Sequence, residues 1–378
     1  MRYYIIVGEA SGDLHASNLI KELRRQDEKA EIRAWGGDLM TAAGADLVRH
    51  YKDTAIMGVV RVIKNLSTIK ANIKYCTEDI TSWNPDVVIL VDYAGFNLRI
   101  AKFTKSVGIK TYYYISPKIW AWGTGRIKQI KAYVDKMFTI FPFETEFYAK
   151  YGYKVNYEGN PLVDAVAEHY DNNKTKSIDE FCAKYGLNKK PIIAILAGSR
   201  SQELRHVLPI MLEMIAFYPD YQFVIAGAPS MSDDDYAPYV RGYNVKIIYD
   251  ATYSLLRHSW AAVVTSGTAT LETALFKVPQ VVCYKGEGGR FTYFLFKYVV
   301  KVDYMSLVNL IFGTELVKEL LMQKLNVKRL KEELALILPK DSSTRKTILD
   351  GYEQVSQRLG GVGASSRVAQ MIINELTK

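Results

Sequence analysis

Residues Tyr3–Leu23 read YYIIVGEASGDLHASNLIKEL: an apolar run, a glycine-bearing turn, then apolar residues at helical spacing, Ala16, Leu19, Ile20 and Leu23. This is one strand–turn–helix unit. The pattern recurs: DVVILV at Asp86–Val91 precedes a helical stretch through Leu98–Phe103, KTYYYI follows at Lys110–Ile115, and MFTIF at Met137–Phe141 ends at Pro142. Continuous rather than alternating apolar runs suit strands buried on both faces, so the expected class is α/β with parallel sheets. A polar, poorly periodic stretch at Glu168–Ser177 (EHYDNNKTKS) reads as a linker or exposed loop, and a second series starts beyond it. Its expected strands are Ile192–Leu196, Gln222–Ala226, Val245–Ile248, Ala261–Thr265 and Gln280–Tyr284. Two domains are expected, 1–165 and 166–343, followed by a strand-free helical tail, 344–378, free to pack on either.

Composition agrees with that outline. The 378 residues carry 49 Lys+Arg against 40 Asp+Glu, a formal charge of +9, with 49% hydrophobic residues. This is enough chain for two cores, and it excludes a disordered chain or a stapled mini-protein. Cys76, Cys182 and Cys283 are odd in number and lack a CxxC pair, so neither a disulfide framework nor a zinc knuckle is encoded. A reducing cytoplasm fits. The first apolar run is too short for a secretory signal, and Ser259–Phe276 is rich in Ser and Thr and contains Glu272, so neither export nor a bilayer span is expected. The surplus charge leaves nucleic acid, an anionic membrane surface and phosphorylated small molecules open. Two basic amphipathic segments, Ile56–Tyr75 and Gly286–Lys301, suit either interfacial membrane contact or an ordinary core helix.

In parallel sheets ligands bind beyond the carboxyl ends of strands, which directs attention to the turns that follow them. Leu196 leads into Ala197, Gly198, Ser199 and Arg200, and Thr265 into Ser266, Gly267 and Thr268, each before a helix. A helix N-terminus offers unpaired N–H groups and a partial positive charge, and an arginine adds a bidentate fork; small residues there also serve plain helix–sheet packing. Two such turns in one domain suggest a diphosphate, and neither matches a P-loop or GxGxxG. The first turn differs, because Glu9 and Asp13 flank Gly8, Ser11 and Gly12 with no cation. Those carboxylates suit sugar hydroxyls or helix capping. Asp92, directly after DVVILV, is placed to be a general base or a cap. Asp233–Asp235 reads as a solvated turn and the five histidines lack ligand spacing, so metal-independent chemistry without a cofactor is expected. An acidic first domain and a phosphate-binding second one suit transfer from a nucleotide diphosphate to a hydroxyl.

Five motifs in order, GEASGD at Gly8–Asp13, SPKIWAW at Ser116–Trp122, FPFETEFY at Phe141–Tyr148, GSR at Gly198–Arg200 and SGTATLE at Ser266–Glu272, resemble the lipid-A-disaccharide synthases. The resemblance implies a GT-B fold: two Rossmann-like domains facing across a cleft, with a C-terminal helix crossing back to the first. It implies inverting, metal-independent transfer of 2,3-diacylglucosamine from its UDP derivative to the 6-hydroxyl of 2,3-diacylglucosamine 1-phosphate, forming a β-1,6 linkage at the cytoplasmic face of the inner membrane. Carried over by position, Gly198, Ser199, Arg200, Ser266, Gly267 and Thr268 meet the diphosphate, and Glu272 holds the ribose. Asn309 and Glu319 join the UDP site, Asp92 is the base, and Glu9, Ser11 and Asp13 line the acceptor side. Departures from the family pattern are Ala197 and Val308 for prolines, Asn160 for a histidine, Arg61 for a glutamate, and Gln323 lying one residue later in KELLMQ. The alternative is another UDP-sugar enzyme of the same fold, such as a peptidoglycan-precursor N-acetylglucosaminyltransferase or an epimerase. An anionic membrane surface is an expected partner, a homodimer stays open, and no nucleic acid is expected.

Overall fold

The computed structural model describes residues 1–54, 66–120, 123–172, 177–286 and 303–378. The chain divides into two compact units, Met1–Asp164 with Leu359–Lys378, and Ala165–Arg358. The first unit holds a seven-stranded sheet of β1 (Arg2–Ile6), β2 (Glu31–Gly36), β3 (Asp46–His50), β4 (Val87–Val91), β5 (Lys110–Tyr114), β6 (Lys136–Thr139) and β7 (Asn156–Tyr157). Their spatial order is β3-β2-β1-β4-β5-β6-β7, and each pairing is parallel. Every residue of β4 is buried, as its unbroken apolar run requires when successive side chains point to opposite faces. Helices α1 (Ala10–Gln26), α2 (Asp38–Ala42), α3 (Ala94–Ser106) and α4 (Pro142–Ala149) alternate with the strands, and α5 (Pro161–Asn172) begins in this unit and ends in the second.

The second unit repeats the plan with six parallel strands: β8 (Ile192–Leu196), β9 (Gln222–Gly227), β10 (Lys246–Tyr249), β11 (Ser259–Thr265), β12 (Gln280–Tyr284) and β13 (Glu319–Leu321), in the order β10-β9-β8-β11-β12-β13. Its helices include α6 (Ser201–Leu212), α7 (Asp233–Val240), α8 (Thr268–Leu275), α9 (Leu307–Phe312) and α10 (Ser343–Leu359). The strand order reverses direction between β1 and β4 in one sheet and between β8 and β11 in the other. Such reversals open a crevice at the carboxyl ends of the adjoining strands.

Four strands escape the hydrophobic pattern. β2 alternates polar and apolar residues, β3 is mostly half-buried, β7 has two residues and β13 has three, one of them Glu319. The expected linker at Glu168–Ser177 is corrected in its first half: α5 runs to Asn172, because Leu162, Ala165 and Val166 give it a buried face and Asn160 accepts the N–H of Leu162 at 2.9 Å. Residues 173–176 lie outside the described residues. Asp233–Asp235 is likewise not a loop but the first turn of α7, with Ser232 as its cap. Acidic residues there complement the helix dipole. All three cysteines are buried and free.

The final helix, α11 (Ala364–Leu376), packs against α1 within the first unit. Asp164 anchors it by accepting the N–H groups of Gly363, Ala364 and Ser365 at 2.6, 3.3 and 3.0 Å, so one carboxylate satisfies three donors at the helix entrance. Asp164→Ala is expected to destabilise the fold by about 1–2 kcal/mol, read as a lower midpoint in thermal or urea unfolding.

Candidate functional site

At the carboxyl end of β4, Asp92 and Tyr93 both adopt left-handed backbone, with φ of 43° and 44°. Two successive non-glycine residues there cost free energy, and the surroundings hold them in place. The Asp92 N–H donates to Ile115 O at 3.1 Å, its carbonyl accepts the Asn97 amide at 3.0 Å, and the Tyr113 hydroxyl donates to the same carbonyl. The Tyr93 ring stacks on Phe96 and lies against Gly8, where a Cβ would come within 2.4 Å of it. Glycine at position 8 is therefore what lets Tyr93, and with it Asp92, take this position.

The Asp92 carboxyl is pushed up to about 6 by burial, with Glu9 adding to the rise while Lys118, the Tyr93 backbone and Arg126 oppose it. A carboxyl poised near neutrality in a strand-end turn is a candidate for acid–base chemistry. Glu9 and Ser11 are joined by a 2.7 Å hydrogen bond at the start of α1. Asp13 is engaged elsewhere: buried, it accepts the N–H groups of Gly37, Leu39 and Met40 at 2.9, 3.1 and 3.1 Å and so caps α2. Sequence alone offered capping of its own helix; the structure assigns it to a neighbour.

In the second unit Arg200 is the residue preceding α6 and Gly267 the one preceding α8. Gly198 has φ of 100° and Gly267 of 152°, conformations that favour glycine. Arg200 is exposed, and the Ser199 N–H donates to Glu203 Oε2 at 2.9 Å. Glu272 on α8 accepts the Tyr253 hydroxyl at 3.0 Å, and burial holds its carboxyl above the usual range.

Asn309 and Glu319 are fully engaged within the protein. Asn309 accepts from the N–H groups of Leu316 and Val317 and donates to Val317 O and Glu319 Oε1, all at 2.9 Å. Glu319 also accepts from Met305 and Ser306 at 2.9 Å, while Ser266 Oγ donates to Met305 O at 2.8 Å. The network ties the loop behind Ser266 to β13. Sequence reading missed Tyr93, Asn97, Tyr113 and Tyr253; only Tyr93, adjacent to Asp92, had a local cue. Trp122 of the WAW motif, Arg61, residues 56–65 of the first basic segment and 287–301 of the second lie outside the described residues. Among the described residues no group of three His, Cys, Asp or Glu side chains is placed to hold a metal ion, and no helix is long and apolar enough to cross a membrane.

Two Rossmann-like parallel sheets, each with a reversal of strand order, define the GT-B fold. The family profile described as lipid-A-disaccharide synthetase matches residues 3–372. The chain belongs to that family, a family of glycosyltransferases. It is 36% identical to the lipid-A-disaccharide synthase of Geobacter metallireducens, covering 100% of this chain and 98% of that one. It is 35% identical to that of Myxococcus xanthus, covering 99% and 97%. Among solved structures, the UDP-GlcNAc 2-epimerase of Neisseria meningitidis bound to UDP-GlcNAc superposes with a TM-score of 0.70 at 14% identity, covering 99% and 100% of the two chains. The S. aureus MnaA–UDP co-structure gives a TM-score of 0.71 at 13% identity, covering 100% and 97%. At that identity the likeness is one of fold. The family match does not favour the N-acetylglucosaminyltransferase alternative.

Gly8→Ala is expected to push on the Tyr93 ring and lower kcat by roughly tenfold or more while UDP affinity stays unchanged, measured by steady-state kinetics and titration. Asn309→Ala leaves the N–H groups of Leu316 and Val317 and the Val317 carbonyl without this partner and removes one of three donors to Glu319, and is expected to cost roughly 3 kcal/mol or more in urea unfolding.

Proposed function

We propose that this enzyme transfers 2,3-diacylglucosamine from UDP-2,3-diacylglucosamine to the 6-hydroxyl of 2,3-diacylglucosamine 1-phosphate, releasing UDP and inverting the anomeric centre. The observation that carries the mechanism is Asp92, an ionisable carboxyl on a braced left-handed turn, with its pKa raised to about 6. In this reading the ionised carboxylate accepts the proton of the acceptor hydroxyl as its oxygen attacks the anomeric carbon. The bond to the diphosphate breaks in the same displacement, and charge builds on the departing UDP. The N-termini of α6 and α8 and the exposed Arg200 supply fixed positive potential for that charge.

Gly198, Ser199, Ser266, Gly267 and Thr268 present the backbone to the diphosphate, and Glu272 takes the ribose hydroxyls, its second oxygen held by Tyr253. Glu9 and Ser11 contribute on the acceptor side. Asp13, Asn309 and Glu319 act through the backbone they hold rather than by touching substrate. The net charge of +9 supports work at an anionic bilayer surface, in this reading the cytoplasmic side of the inner membrane.

Asp92→Asn is expected to lower kcat by about 10²–10⁴ while UDP binding stays near normal; nearly full activity would remove Asp92 from the base's role. The test mixes enzyme with both lipid substrates in detergent and follows UDP and the tetraacyl disaccharide 1-phosphate by mass spectrometry. Arg200→Ala is expected to weaken UDP binding by roughly tenfold, seen by calorimetry. The base must be ionised, so kcat/KM is expected to fall about tenfold per pH unit below about 6. Stability runs the other way at this residue. A raised folded-state pKa means the fold favours the protonated form, so the contribution of Asp92 declines as pH rises from its ordinary 3.8 to about 6.

A further inference from the structure

We propose that Glu203 is a built-in stand-in for the donor diphosphate: its carboxylate occupies the Gly198–Arg200 turn when no nucleotide is bound and must be displaced by one. The inference rests on the assignment of that turn to the donor. Glu203 reaches back from the first turn of α6 so that Oε2 accepts the Ser199 N–H at 2.9 Å, while Oε1 lies 3.8 Å from Arg200 Nη1. One backbone amide and one guanidinium are also what a phosphate oxygen recruits at such a turn.

Ordinary capping does not account for this contact. With Arg200 preceding the helix, a glutamate three residues on returns to the N–H of Arg200 itself in a capping box. Glu203 instead reaches one residue further, to Ser199. It also fills the space that Gly198 leaves, since a Cβ there would stand 2.2 Å from Oε2. The companion turn differs: nothing among the described residues lies within 4 Å of where a Gly267 Cβ would be. Among the described residues, one of the two diphosphate turns is therefore clear at its glycine and the other holds an anion of the chain's own.

A carboxylate and a diphosphate repel each other at one set of donors, so UDP-sugar binding swings Glu203 aside and the returning carboxylate helps expel UDP after transfer. The side chain lowers affinity for UDP because the competent conformation is not the resting one.

The test titrates UDP into the wild-type enzyme and into Glu203→Gln, which keeps length and a hydrogen-bond acceptor but loses the charge. Glu203→Ala is carried alongside, with thermal midpoints to show that both fold. UDP is expected to bind roughly threefold to tenfold more tightly to the variants, and uridine, measured by competition, equally to all three proteins. Unchanged or weaker UDP binding by the variants would overturn the proposal, as would an equal gain for uridine, which would mark an effect on the fold rather than on the anion. A wild-type enzyme that fails to bind UDP would instead overturn the donor assignment and the proposal with it.

Discussion

Parallel strands buried on both faces impose the constraint from which the rest follows. Such strands need helices over each face, every connection must cross from the carboxyl end of one strand back to the start of the next, and a reversal of strand order leaves a gap where two connections diverge. In this chain the gaps fall beside β1 and β4, and beside β8 and β11. The residues that reach them are fixed by topology: Gly8–Asp13 and Asp92 in one unit, Gly198–Arg200 and Ser266–Thr268 in the other. Chemistry at these positions needs no further arrangement of the backbone beyond the local turns. Those turns carry the unusual conformations, at Asp92, Tyr93, Gly198 and Gly267.

Carboxylates in this framework differ in how many hydrogen bonds the protein gives them. Asp13, Asp164 and Glu319 each accept several hydrogen bonds from the protein, three of them to backbone N–H groups for Asp13 and for Asp164. Those bonds organise a helix entrance or a loop. Glu144 is an intermediate case, bonded to the N–H groups of Ile140 and Phe141 yet pushed up to about 7 by burial. Asp92 is short of such donors: burial outweighs the partial compensation from Lys118, the Tyr93 backbone and Arg126, so its proton affinity rises. Glu272 shares the rise by burial, so what sets Asp92 apart is its place at a strand end beside the reversal of strand order.

Legibility from sequence divides along the same lines. The buried central strands were plain, because an unbroken run such as Ile192–Leu196 has no other stable placement, and the turns after them followed from the strands. β2 and β3 were hidden by half-exposed residues that weaken the apolar signal, and β13 by a buried glutamate whose partners, Met305, Ser306 and Asn309, lie 10 to 14 residues away. The place of Asp92 at a strand end was legible in the sequence. Its bracing was not, since Tyr113 and Gly8 reach it only through the fold. At Asp13 the residue type suited both a sugar contact and a cap, and the helix it caps, entered at Gly37, is a spatial neighbour that the sequence could not name.

The network behind Ser266 shows why a motif match locates a site without distinguishing contact from support. Ser266 is held by the Met305 carbonyl, Met305 and Ser306 by Glu319, and Glu319 by the Asn309 amide, whose remaining proton and oxygen go to Val317 and Leu316. Neither Asn309 nor Glu319 keeps a side-chain group free of this network, yet a change at either would pass through Met305 to the serine that precedes Gly267. A diphosphate bound at that glycine would register the disturbance as a loss of affinity, with no ligand contact having been removed. Buried polar networks of this kind transmit position because each member is satisfied in only one geometry. The cost of breaking them appears first in stability, and in catalysis only through the turn they hold.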